Sequence, residues 1–422
     1  MCQECERCMS WLVDPLSVNL RVIVSVNIDT CPPAWKSWPS LVIGEPSSNT
    51  VRQLVNSEFA VRCTSLTTEL DNQISTCCQR SGCPRYVVIL CAFLARPCRQ
   101  PLLDSELETL LQTTSTTQLY QCIAEHILTA ADVILPSGSQ VVRNVLTIIF
   151  ATHIGISETE LCDLIPELME AFGSLLFYFL QEYRILTSVA GLLVFANDEA
   201  RSAVKELLFA ESPGLLADVR LQLLHYYSSR KFPDSLLHRT ADELPWLCRQ
   251  LGDAVMLESS ICEPSLVICL YARGHCTELM SYWQFIGSDR SDIGKRYLSA
   301  VREMEDAVDT KTGSFPTALH DVANVYETLG NFLSHLNLLS EALAAHQRSL
   351  EVREMCADPD DPCIARSLQL QADLHMQSGK LMTAEMLYRQ SLDIYKASLG
   401  TTHPDVSRAL YSLAVFYQKQ GK

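Results

Sequence analysis

The amino-acid sequence predicts a mainly helical chain of several domains that ends in an array of stacked helix pairs. Three observations lead there. The 422 residues exceed what one hydrophobic core holds, at roughly 150 residues per domain. Apolar residues recur with a helical period over most of the length, punctuated by proline and glycine rather than by strand-like alternation. The last segment repeats itself: Arg366, Leu368, Ala372, Gly379 and Lys380 return as Arg408, Leu410, Ala414, Gly421 and Lys422, an offset of 42 residues, as in a repeat architecture.

Composition narrows the function classes. Hydrophobic residues make up 48% and charged ones 19%, enough to build packed cores and too apolar for a disordered chain. With 33 Lys and Arg against 49 Asp and Glu, a net charge of -16, nucleic acid and anionic membrane surfaces are disfavoured partners. The 18 cysteines are scattered rather than framed as in a small secreted domain, so they read as reduced thiols of a cytoplasmic protein. The apolar run over residues 141–151 is too short to span a bilayer and contains Arg143, and no membrane insertion is expected.

Along the chain, residues 20–26 (Leu-Arg-Val-Ile-Val-Ser-Val) form an unbroken β-branched run, as in a strand buried on both faces. Fewer than 20 residues precede it, so the chain is expected to start inside a domain. Residues 50–129 carry helical patterns broken by Gly82, Pro84, Pro97 and Pro101, which suits a small helical subdomain with several loops. Residues 141–151, 158–164 and 171–186 then read as three helices, with Ser157 and Glu160 placed as a capping box at the second. A hairpin over residues 187–195 turning at Gly191 completes a winged helix. Its third helix contains no Lys or Arg over residues 170–183, which argues against docking in a DNA groove. Residues 202–298 are again helical, with Trp246 and Trp283 at core-like spacing, and read as a connector.

The C-terminal repeats carry most information. Residues 348–352 match 390–394 at the same offset of 42. Ala323 and Gly330, however, lie 49 residues before Ala372 and Gly379, so seven extra residues are expected between the helices of the first unit. Leu368, Gln371, Ala372, His375, Ala384, Tyr388 and Ser391 resemble the packing positions of a tetratricopeptide repeat, in which small residues such as Ala372 and Ala384 let two helices approach closely. Gln371 and His375 depart from that pattern, which prefers Leu and an aromatic there. The third unit, with Leu410, Leu413, Ala414 and Tyr417, reaches Lys422 before a second helix, and an unpaired helix face is expected at that end.

The offset of 42, with a loop of the type Leu399-Gly400-Thr401-Thr402-His403-Pro404, resembles the longer repeats of kinesin light chains and of the nephrocystin-3 family. Upstream segments separate the two: Trp11-Leu12-Val13-Asp14-Pro15, Cys31-Pro32-Pro33-Ala34-Trp35, Ala241-Asp242-Glu243-Leu244-Pro245-Trp246 and Ser281-Tyr282-Trp283-Gln284-Phe285 are similar to nephrocystin-3 segments in the same order. That resemblance implies the remnant of an α/β ATPase core over residues 1–45, a helical lid over 46–135, a winged helix over 136–210, a helical connector over 211–312 and tetratricopeptide repeats over 313–422. It also implies a scaffold at the primary cilium for other nephrocystins and inversin, linked to Wnt signalling. No Gly-x-x-x-x-Gly-Lys-Ser/Thr stretch occurs, so neither a nucleotide cofactor nor catalysis is expected of this chain. A kinesin-light-chain-like cargo adaptor and a fragment of a nucleotide-regulated switch are the alternatives.

In such an array the first helix of each unit lines a concave groove. The side chains expected to meet a partner protein are Thr317, His320, Asn324 and Glu327 in the first unit, Arg366, Gln369, Asp373 and Met376 in the second, and Arg408, Tyr411, Val415 and Gln418 in the third. Cys2, Cys5 and Cys8, with Cys77, Cys78 and Cys83, have spacings that could grip zinc, but no second Cys-x-x-Cys pair exists and they read as thiols. The acidic stretch over residues 358–362 reads as a solvated loop between repeats, where proline ends one helix and starts the next.

Overall fold

The computed structural model describes residues 39, 41, 44, 46–62, 67–95, 104–168, 170–210, 214–229, 237–311 and 315–420. The strand expected over residues 20–26, the ATPase remnant apart from residues 39, 41 and 44, and Cys2, Cys5 and Cys8 lie outside them. The chain divides into two compact units at Thr116.

The first unit contains α1 (Ser48–Val61), α2 (Thr68–Ser81), α3 (Pro84–Leu94) and α4 (Asp104–Gln112). Helix α1 buries Val51, Val55 and Phe59, one stripe at four-residue spacing. Helix α3 is apolar all round, starts on Pro84 and buries nearly every side chain. Its Tyr86 hydroxyl reaches the Thr113 hydroxyl at 2.9 Å, so its one polar atom is satisfied. Helix α2 ends on Gly82 with φ of 62°, a left-handed cap that glycine adopts without strain. Cys77 and Cys78 are buried beside it, and burial pushes the Cys78 thiol up to about 12.

The second unit opens with α5 (Thr116–Ile134), which lies in the segment expected as a helical lid and packs on the winged helix. The Tyr120 hydroxyl donates to the Arg184 carbonyl at 3.0 Å and accepts from the Asn197 amide at 2.8 Å. The winged helix comprises α6 (Gly138–Ala151), α7 (Glu158–Leu164), α8 (Glu170–Glu182) and a hairpin of β1 (Leu186–Val189) with β2 (Leu192–Phe195), followed by α9 (Asp198–Phe209). The strands pair antiparallel with Leu186 opposite Phe195, and Ile156 adds a bridge to Leu193. The third helix thus stops at Glu182, four residues before the end expected from sequence, because Leu186 is drawn into the hairpin. The capping box forms as expected: the Ser157 hydroxyl accepts from the Glu160 amide, and the Glu160 carboxylate accepts from the Ser157 amide.

A row of helices follows: α10 (Leu215–Ser229), α11 (Leu237–Leu251), α12 (Ala254–Cys262), α13 (Pro264–Ala272), α14 (Cys276–Ile286) and α15 (Arg290–Lys311). Trp283 is buried and donates from its indole to the Tyr297 hydroxyl at 2.8 Å. No single helix among the described residues is long and apolar enough to cross a membrane; only α12 and α13 taken together pass by composition, across a bend of 75°.

The winged helix is fastened to this row by buried charges. Arg239 on α11 is 4% exposed and pairs with Glu160 at 3.1 Å and Glu243 at 3.6 Å, while also donating to the Gly155 carbonyl at 2.8 Å. Glu243, fully buried, accepts from the backbone amides of His153 at 2.8 Å and Ile154 at 3.1 Å. Burial alone would raise the Glu160 carboxyl, but Arg239 and the Ser157 donors outweigh it and hold it below the usual carboxylate range. Beside them the His153 ring stacks on Trp246, with centroids 5.1 Å apart. Two of the acidic and aromatic positions in the segment from Ala241 to Trp246 therefore hold the two parts of the unit together.

The tetratricopeptide solenoid ends the chain with α16 (Phe315–His335), α17 (Leu339–Cys356), α18 (Pro362–Gln377), α19 (Leu381–Leu399) and α20 (Pro404–Lys419). The mainly α class and the solenoid expected from sequence are thus present. The register of the first unit differs from expectation. Its two helices are joined by residues 336–338, as short a turn as 378–380 in the second unit. Asn337 (φ 60°) stands 42 residues before Gly379 (φ 75°) and makes the same left-handed turn. Gly330 stands 42 residues before Ala372 and plays its part: a Cβ there would lie 2.6 Å from the His346 ring, and His346 is the counterpart of Tyr388. The offset is therefore 42 throughout, and the additional residues lengthen the start of α16 instead of separating the helices.

Candidate partner-binding groove

In the second unit, Ile364, Leu368 and Ala372 on α18 pack with Ala384, Leu387 and Tyr388 on α19 and with Phe416 on α20. Ala372 and Ala384 are fully buried, so the helices touch where side chains are smallest. Gln371 keeps its place beside them because its amide donates to the His346 carbonyl at 3.1 Å. Each pair then leaves one face of its first helix away from that contact.

The expected groove positions divide into three kinds. Arg366, Arg408, Tyr411, Gln418, His320 and Asn324 are exposed, Tyr411 to 71%. Glu327, Gln369, Asp373 and Met376 are instead committed within the array, which corrects their assignment as free partner contacts. Glu327 is 5% exposed and is held by Arg353 at 2.7 Å and Arg366 at 2.8 Å. The Gln369 amide donates to the Ser412 hydroxyl at 2.9 Å. Asp373 accepts from the Tyr388 hydroxyl, and burial raises its carboxyl above the usual range. Met376 packs against the apolar cluster. Val415 is half-buried. Thr317 lies in α16, with its side chain outside the described residues.

The corrected register also changes the first unit. The counterparts of Arg366, Gln369, Asp373 and Met376 at an offset of 42 are Asn324, Glu327, Asn331 and Ser334, so Thr317 belongs to the additional length at the start of α16 and His320 is the counterpart of Pro362, the first residue of α18. Asn331 and Ser334 are half-buried on that helix. Sequence reasoning missed them because Gly330 was paired with Gly379 by residue type.

Arg353 was missed as well. It is 2% exposed and donates to the Asn324 side-chain oxygen at 2.9 Å, the Ser367 hydroxyl at 2.5 Å and the Cys363 carbonyl at 3.1 Å. It occupies the place that Tyr395 takes one repeat later, and with Glu327 it ties the first unit to the second. A charged residue at a repeat position that elsewhere holds a buried Tyr was the available signal.

His346 sits under this network, 2% exposed, its Nδ1 without a hydrogen-bond partner among the described residues. Burial lowers its pKa to about 4, with Arg353 acting in the same direction and Glu327 opposing. The unfolded imidazole titrates near about 6.5, so below that pH the unfolded chain takes up the proton first. The His346 contribution to stability is complete above pH ~6.5 and declines as pH falls, the loss approaching about 3 kcal/mol near pH 4. Denaturant unfolding across that window should show the decline, and His346→Phe should flatten it; an unchanged slope in the variant would show that other groups set it.

The third unit presents Arg408, paired with Asp405 at 2.7 Å, and next to it Tyr411 and the 45% exposed Leu410. Ala414 is exposed where its counterpart Ala372 is buried, and no helix among the described residues covers it. The groove face thus offers two arginines, one tyrosine and amide side chains on a rigid row of helices. Among the described residues no three His, Cys, Asp or Glu side chains come together as metal ligands would.

Two family models and several relatives match this chain. A family model described as the nephrocystin-3 TPR domain matches residues 220–422, taking in helices read from sequence as a connector. A second, described as the nephrocystin 3 helical domain, matches residues 49–208. The chain is 36% identical over 393 residues to nephrocystin-3 of Homo sapiens, covering 92% of this chain and 29% of that protein. The corresponding figures are 35% over 393 residues for nephrocystin-3 of Mus musculus, with 92% and 29% covered, and 35% over 393 residues for that of Xenopus laevis, with 92% and 30% covered. The chain thus spans less than a third of the length of these relatives. Among solved structures, a signal-transduction ATPase with numerous domains and a tetratricopeptide repeat sensor, from Pyrococcus horikoshii, aligns over 89% of this chain and 57% of that one, at 14% identity and a TM-score of 0.35.

Proposed function

The chain belongs to the nephrocystin-3 family, and on that premise we propose that this tetratricopeptide scaffold acts in the cytoplasm and at the primary cilium. There it would gather other nephrocystins and inversin and take part in Wnt-linked signalling. It works by binding, not by catalysis. One observation carries the reading: Arg366, Arg408 and Tyr411 remain exposed on the first helices of adjacent units, while the residues between them are used to hold those helices in place. Partner recognition concentrates in aromatic and arginine side chains on such rigid surfaces, and this face has both.

The proposal is tested by titrating the purified chain against purified nephrocystins and inversin, one at a time. Saturable binding to at least one of them is expected. Absence of binding to every one would refute the assignment of partners.

A further inference from the structure

The turn between α17 and α18 carries acids that its geometry does not require. One repeat later, Gly400-Thr401-Thr402 makes the corresponding turn without any. Both α18 and α20 begin on proline, capped in one case by Asp361 and in the other by His403, so Asp361 has a structural task. Asp358 and Asp360 do not: they are exposed.

Next to this turn lies a cleft of about 530 Å³. Its floor is apolar, made by Ala357 at the end of α17, Ile364 and Leu368 on α18 and Ile394 on α19, and its rim carries Glu354 and Asp393. Among the described residues, Glu354, Asp358, Asp360 and Asp393 have no ion-pair partner, whereas Arg353, Arg366 and Arg389 nearby are each paired with other acids. Glu354 and Asp393 line the cleft, and Asp358 and Asp360 flank Pro359, which also lines it, so these unneutralised carboxylates repel an anionic occupant and attract a cationic one. At an offset of 42, Glu354 is replaced by Lys396 and Ala357 by Leu399, so the acidic rim belongs to this interval and not to the repeat as such.

We propose that this cleft is a second docking site, which takes a peptide segment of another protein with an apolar side chain seated between basic ones. The apolar side chain fills the space over Ile364 and Leu368, and the flanking Lys or Arg side chains pair with Glu354 and Asp393. Two residues along a helix are about 200° apart, so Ile364 and Leu368 face away from Arg366. The cleft and the groove are therefore on different faces of α18, and one can function without the other.

The test uses the full 422-residue chain and a fluorescein-labelled probe, Gly-Arg-Leu-Lys-Leu-Arg-Gly, followed by anisotropy. One control peptide has Gln for each basic residue, and another has Ser for each Leu. Saturable binding of the probe is expected, with both controls roughly tenfold weaker. Glu354→Gln with Asp393→Asn, and separately Asp358→Asn with Asp360→Asn, should each weaken the probe. Glu167→Gln with Glu303→Gln removes the same charge from exposed positions elsewhere and should not. Equal weakening by all three pairs would mean that the probe senses net charge alone. That result, undiminished binding by the two cleft variants, equal binding of the Ser peptide, or no saturable binding at all would each overturn the proposal.

Discussion

Replacing Arg239 by Ala is expected to destabilise the chain by about 3 to 5 kcal/mol, the usual cost of leaving a buried charge without its partner. Arg239 stands between Glu160 and Glu243 and reaches a backbone carbonyl besides. Without it Glu160 keeps its donors in the capping box but loses the one buried cation that pairs with it among the described residues. Glu243, whose carboxyl burial already pushes up to about 7 against the pull of Arg239 and two backbone amides, would be driven further toward its neutral form. Denaturant unfolding of Arg239→Ala should show the loss, and Arg239→Lys should recover part of it, because a point charge restores attraction but not the fork of donors. A variant that unfolds at the wild-type midpoint would show that the winged helix does not depend on this network.

The second large effect is expected at Ala372. Its Cβ is fully buried where α18 meets α19, and Ala372→Arg forces a long cation into that contact. Overpacking alone costs ~1 to 3 kcal/mol, before the cost of burying the charge. The repeats should lose helical structure and partner binding together, as read by circular dichroism over a thermal melt. Retention of the wild-type melt would mean that the packing face has been placed on the wrong side of α18.

Legibility in the sequence followed how local the physics is. The capping box at Ser157, the hairpin at Gly191 and the proline starts of α18 and α20 are decided within a few residues, and each was readable. The repeat period was readable too, because the small contact residue and the turn recur along the chain. What misled was residue identity. Gly330 and Gly379 are both glycine, but the first provides room against His346 and the second a left-handed turn. Ala372 and Asn337 are their true counterparts, since the contact needs only a small side chain and Asn tolerates the left-handed region. This seven-residue slip moved the first unit's groove residues to Thr317 and His320.

The buried charges were illegible for another reason. Arg239 and Glu160 are 79 residues apart, and Glu327 reads in sequence like any solvated helix residue until Arg353 and Arg366 close over it. Burying a charged side chain depends on partners contributed by other helices, which periodicity along one helix does not reveal. Arg366 and Arg408 share one repeat position and are both exposed, so spacing made them readable; Tyr411 shares its position with the buried Glu327 and Gln369, so its exposure does not follow from spacing.

The central claim is that these three side chains bind while the small contacts fold, and the combined variant Arg366→Ala, Arg408→Ala and Tyr411→Ala tests it. Each is exposed, and Glu327 keeps Arg353 when Arg366 is removed, so stability should change by about 0.5 kcal/mol per site or less. Affinity for a partner captured by the wild-type chain should fall by about tenfold or more, the loss expected when interface anchors are truncated. Measured side by side, an unshifted melt with that loss of affinity is the predicted result. Wild-type affinity in the triple variant would contradict the groove assignment.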